Sequence, residues 1–173
     1  MTHAELVEIG RKCLTKTCSV VITEIATSGE EPDVIGWRGP HTVLIECKTS
    51  RSDFLADFNK PWRNDNDAGI PGLGHARYYL CEPGVIKREE LPPGWGLIHV
   101  VNGKTRMAHV APHTFQTRNL QREAGILLSA LRRLGQTSVA GISIKIYRSQ
   151  TKCKSTITIE TDEQEALMEK EHP

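Results

Sequence analysis

The segment His41-Thr-Val-Leu-Ile-Glu-Cys-Lys48 constrains the fold of this chain more than any other. Its apolar, β-branched middle is the strongest strand signal in the sequence, yet Glu46 and Lys48 interrupt it. Side chains alternate along a strand, so these two charges project to one face. Ionised groups in such a place are costly unless they are paired or hold a metal. Upstream, Asp33-Val-Ile-Gly-Trp37 is a short apolar stretch and Arg38-Gly-Pro40 turns the chain. The two segments read as a hairpin, with Asp33 and Glu46 at the ends of adjacent strands and their carboxylates converging.

Two carboxylates make a hard-oxygen site suited to Mg²⁺ or Mn²⁺. A cation held there lowers the pKa of a bound water and neutralises charge building on a phosphate. The backbone carbonyl of Cys47 lies between the two charged side chains and is a further candidate ligand. Lys48 can orient the attacking water or stabilise the charged transition state. The plain structural alternative is a cross-strand ion pair, since a Glu-x-Lys triplet is common. Here the triplet ends a Val-Leu-Ile strand, follows Pro32-Asp33 at hairpin distance and precedes a basic helix, which favours a metal-phosphate site.

The pattern on either side predicts a helix over Ala4 to about Lys16 and a strand over Ser19–Ile25. Ser50 caps a second helix, with Asp53 in its first turn, an aromatic stripe at Phe54, Phe58 and Trp62, and an end near Asn59 or Lys60 before Pro61. A glycine-rich loop, Asn64–Gly74, leads to strands over Ala76–Cys81 and Trp95–Val101, with a short helix or turn over Val85–Glu90 between them. Asn102-Gly103 turns the chain so that Thr105–Val110 can pair back. A long helix is predicted over Thr114–Leu134, burying Leu120, Ala124, Leu127, Leu128 and Leu131 and stopped by Gly135. Ile142–Tyr147 and Ser155–Ile159 alternate as a final hairpin. The order is that of a mixed α/β domain with helices flanking a central sheet.

The 173 residues suit one domain. The core covers about 1–110, the C-terminal helix and hairpin 112–160, and an acidic tail 161–173. With 22 Lys plus Arg against 21 Asp plus Glu, the near-neutral charge favours a local binding groove over a polybasic coat. Arg51, Lys60 and Arg63, on or just after the second helix, and Arg77, opening the next strand, fit a phosphate track. Arg118, Arg122, Arg132 and Arg133 read as a solvated face of the long helix. No apolar run approaches a bilayer span, so no membrane partner is expected. Five cysteines without a CxxC pair point to a reduced, cytoplasmic protein.

Pro32-Asp33 followed by Glu46-Cys47-Lys48, with a helix before and a helix after, resembles the PD-(D/E)xK nuclease superfamily. The chain is similar to its small phage and bacterial branch, including the MmcB-like DNA-repair proteins. Glu46-Cys-Lys-Thr-Ser-Arg-Ser-Asp-Phe-Leu-Ala-Asp57, Lys60-Pro-Trp-Arg63 and Arg77-Tyr-Tyr-Leu80 carry the likeness, which covers about residues 1–101. It implies a restriction-endonuclease-like αβββαβ core with an added C-terminal helix and β-hairpin. It also implies divalent-metal-dependent phosphodiester hydrolysis of nucleic acid, DNA before RNA, in phage or bacterial repair or replication. The family motif maps onto Asp33, Glu46 and Lys48. Many members add an acid from the first helix, for which Glu8 is preferred, with Glu5 and Glu24 as rivals. The competing expectation is a non-catalytic nuclease-fold module that binds nucleic acid or a partner protein, for example as an inhibitor of a defence complex. The terminal hairpin is a candidate homo-oligomer interface.

Overall fold

Thr2 starts the first helix by a reciprocal cap. Its hydroxyl accepts from the Glu5 N–H (3.3 Å), while the Glu5 carboxylate accepts from the Thr2 N–H (2.7 Å). The computed structural model describes residues 1–25, 30–60, 71–112, 114–134, 137–139 and 142–144. Helix α1 (His3–Leu14) is followed by strands β1 (Val20–Thr23), β2 (Val34–Arg38) and β3 (His41–Lys48), then helix α2 (Arg51–Asp57). Strands β4 (Ala76–Cys81), β5 (Trp95–Val101) and β6 (Lys104–His109) come next. A 3₁₀ turn (Arg88–Glu90) between β4 and β5, helix α3 (Leu120–Leu134) and two short strands, β7 (Thr137–Val139) and β8 (Ile142–Ile144), complete the described elements.

The six main strands form one mixed sheet in chain order. β1, β2 and β3 are antiparallel neighbours, β4 and β5 add in parallel, and β6 turns back antiparallel. Parallel pairing of β3 with β4 requires a crossover, and that crossover carries α2. On one face α1 buries Leu6, Val7 and Leu14 against Val34, Ile45, Leu80 and Ile98. On the other, Phe54 of α2 and Ile126 of α3 pack on Ile35, Leu44, Tyr79, Trp95 and Leu97. Among the described residues this is an α/β protein with a six-stranded mixed sheet and three α-helices. No helix among the described residues is long and apolar enough to cross a membrane.

Two expectations change at the C-terminal side. α3 starts at Leu120 rather than Thr114, because backbone donors of the preceding residues are spent outside the helix: Phe115 N–H donates to the His75 carbonyl and Asn119 N–H to that of Gly72. The Asn119 side chain then caps the helix by accepting from the Arg122 N–H. The buried face is also rotated. Ile126 and Glu123 point inward, Leu127 and Ala130 are half-buried, and Leu120, Ala124, Leu128 and Leu131 are exposed. The helix is turned by Glu123, whose carboxylate accepts from the Thr42 hydroxyl of β3 and from the Gly74 N–H just before β4. Ile142–Ile144 pairs back with Thr137–Val139. Its expected partner, Ser155–Ile159, lies outside the described residues, as do Trp62, Arg63 and the acidic tail.

Candidate phosphodiester site

The register of β2 on β3 pairs Val34 with Ile45, so the next step along the hairpin sets Asp33 opposite Glu46. The ladder does not simply continue there. Asp33 Oδ2 accepts from the Cys47 N–H at 2.7 Å, and its own carbonyl accepts from the Glu24 N–H at 3.2 Å. His3, at the start of α1, brings Nε2 to 3.3 Å from Asp33 Oδ1. Burial, and then the charge of Glu46, push the Asp33 carboxyl up to about 6, against the opposing pull of the Cys47 N–H, His3 and Lys48. Two acids on adjacent strands thus meet at the carboxyl end of β3, as the hairpin pattern predicts.

Lys48 lies on the same face and is only 4% exposed. Its Nζ is 3.1 Å from Asp57 Oδ1, 3.8 Å from Asp53 Oδ1 and 4.0 Å from Glu46 Oε2. The two aspartates come from α2, one turn apart on one helix face. Asp53 also accepts from the Thr49 N–H, and the Ser50 hydroxyl caps the helix by accepting from the Asp53 N–H. Asp57 Oδ2 accepts from the Tyr79 hydroxyl at 2.9 Å. Tyr79 in turn stands opposite Glu46 in the β3–β4 register. Sequence reading missed Asp57 and Tyr79. The signal was the spacing of Asp53 and Asp57 just after a buried lysine that needs carboxylates.

The remaining expected residues separate. Cys47 sits between Glu46 and Lys48, but its thiol faces α1, and burial raises the thiol pKa. Glu8 does not join the site. Arg11 and Lys12 hold its exposed carboxylate at about 2, and among the described residues no third acid gathers with Asp33 and Glu46. Glu5 is spent on the α1 cap. Glu24 is next to Asp33 through its backbone. Arg51 forms a two-pronged pair with Glu90, and Lys60 lies 2.8 Å from Asp57 Oδ1. Arg77 is corrected from phosphate contact to core residue. It is 1% exposed, donates to the carbonyls of Gly72 and Gly74, and lies 3.7 Å over the Phe115 ring.

Asp33 and Glu46 are the residues that could hold a metal, with the Cys47 carbonyl beside them. Among the described residues no group of three or more His, Cys, Asp or Glu side chains is placed to bind an ion. A two-carboxylate oxygen set still fits Mg²⁺, which keeps several waters and takes one or two carboxylates. A cation would also relieve the mutual repulsion of Asp33 and Glu46.

Fold and site together define an α/β protein with a largely buried cluster of carboxylates around a lysine at the carboxyl end of β3. A solved structure shares that fold: SPO1766, a protein of unknown function from Silicibacter pomeroyi, is 23% identical over 78% of this chain and 89% of its own, with a TM-score of 0.57. No family model and no curated protein matches the chain.

Proposed function

We propose that the chain is a divalent-metal-dependent phosphodiesterase of the PD-(D/E)xK kind, with a restriction-endonuclease-like core, acting on nucleic acid and on DNA before RNA. The observation that carries this reading is the Cys47 N–H to Asp33 Oδ2 bond of 2.7 Å at the end of the β2–β3 hairpin, which holds Asp33 within reach of the Glu46 charge, with Lys48 two residues beyond Glu46 on the same face. Mg²⁺ or Mn²⁺, when bound by these carboxylates, supplies an acidified water and charge neutralisation at the phosphate. The chain's own residues do the positioning. The Cys47 N–H fixes the Asp33 carboxylate, and Glu46 is fixed by its strand. Lys48 presents an ammonium where negative charge would build on a phosphate oxygen, a preorganised role. Arg51 and Lys60, with Arg63, would guide the strand only by exchanging Glu90 and Asp57 for phosphate.

One observation favours a second reading, a non-catalytic module binding nucleic acid or a partner. Lys48 lies closer to Asp57 than to Glu46. A cleavage assay separates the two. With Mn²⁺, purified protein is expected to nick plasmid or degrade single-stranded DNA, and Glu46→Gln and Lys48→Ala are each expected to lose about 100-fold or more in rate while staying folded. Wild-type protein inert on plasmid, linear, single-stranded DNA and RNA would leave the binding module standing instead.

A further inference from the structure

We propose that Asp57 is the positioning residue for Lys48: braced by Tyr79, it fixes where the lysine ammonium sits beside Glu46. Its consequence for cleavage rests on the phosphodiesterase reading; the positioning itself does not. A lysine ends in a compact charge on a flexible four-carbon stem, so its location depends on what receives its protons. Here three carboxylates surround it, and Asp57 is nearest at 3.1 Å, against 3.8 Å for Asp53 and 4.0 Å for Glu46.

Asp57 can act as a fixed point because of what holds its other oxygen. Its carboxylate is 1% exposed, and Oδ2 accepts from the Tyr79 hydroxyl at 2.9 Å. Tyr79 has no room to shift. Its ring stacks on Trp95 at 4.4 Å and meets the Phe54 ring edge-on at 5.1 Å, and its backbone lies in the β3–β4 ladder opposite Glu46. Sheet, tyrosine, aspartate and lysine therefore form one chain of close contacts that returns to the strand it started from. Lys60 meets the same Asp57 oxygen from the surface side at 2.8 Å. The arrangement orients the ammonium by geometry as well as balancing its charge.

Those two roles separate experimentally. Asp57→Glu keeps the charge but displaces the oxygens by a methylene, and Tyr79→Phe keeps every charge but removes the brace. If Asp57 only neutralised Lys48, both variants would match wild type. Positioning predicts a fall in kcat of about 10-fold or more in each, with KM within about twofold, because a displacement of about 1 Å can cost up to 100-fold. The second readout is the ammonium signal of Lys48 in full-length, metal-free, ¹⁵N-lysine-labelled protein, identified by its loss in Lys48→Arg. It is expected to be protected from solvent exchange in wild type and to exchange about tenfold faster in both variants. A signal unchanged in the folded variants overturns the proposal, as does unchanged kcat in an active protein. A signal that responds in a wild-type protein that cleaves nothing upholds the positioning and removes the phosphodiesterase reading.

Discussion

At Asp33, burial and the charge of Glu46 across the hairpin oppose ionisation, which leaves the carboxyl titrating at about 6. A free aspartate titrates near about 3.9. Between those values the folded chain binds a proton that the unfolded chain releases, so the contribution of this one group to stability is greatest below about pH 4 and is lost as pH rises through about 6. The full gap corresponds to about 3 kcal/mol as an upper figure. Asp33→Asn, which can still accept from the Cys47 N–H, is therefore expected to stabilise the metal-free protein by about 1–3 kcal/mol at pH 7.5 and to be nearly neutral at pH 3.5. Urea unfolding at the two pH values measures this, and equal destabilisation at both would refute it. On the proposed metal-binding reading, Mn²⁺ is expected to raise Tm more at pH 7.5 than at pH 5, where it must displace a proton, and to do little for Asp33→Asn.

Gly96 shows why an element's sequence carries more than its propensity. It faces Tyr78 in the β4–β5 register, and a Cβ there would lie 2.3 Å from the tyrosine ring and 2.8 Å from the Ala111 nitrogen. Gly96→Ala should cost about 2 kcal/mol or more by overpacking, partly recovered in the double variant with Tyr78→Thr. Denaturant titration of the three variants checks both halves. Strands β3, β4 and β5 coincide with their sequence reading because apolar runs bounded by turn residues leave one periodicity available. The Asn102-Gly103 turn, with both φ positive, was equally legible. α3 was not, since an outward Leu120, Leu128 and Leu131 stripe is as periodic as the inward one and only the partners of Glu123 choose between them. In the site, Asp33, Glu46 and Lys48 were legible because one hairpin joins them. Asp57 reaches Lys48 through a helix and Tyr79 through a crossover, contacts that no local pattern encodes. Arg77 misled for the same reason: Phe115, which covers it, is remote in sequence.

Across the molecule, the length of β3 separates the candidate site from a second polar cluster at the strand's other end. There Glu123 accepts from the Thr42 hydroxyl (3.0 Å) and the Gly74 N–H (2.9 Å) with one oxygen, and lies 3.2 Å from Arg118 Nε with the other. Arg118 also donates to the Pro40 carbonyl and meets His75 Nε2 at 2.6 Å. This network clamps α3 and the segment entering β4 onto the start of β3. Removing its charge leaves a largely buried guanidinium, so Glu123→Gln should cost about 3 kcal/mol. Thr42, which bonds Glu123, and Glu46, which stands across from Asp33, are about 13 Å apart along β3 at roughly 3.3 Å per residue, beyond the about 10 Å over which substitutions usually couple. The loss in Glu123→Gln and the gain in Asp33→Asn at pH 7.5 should therefore add to within about 0.5 kcal/mol in the double variant. Urea unfolding of the four proteins measures the sum. A coupling above about 1 kcal/mol would mean that the sheet transmits strain between its ends, and substitutions near α3 would then tune the carboxylate pair from a distance.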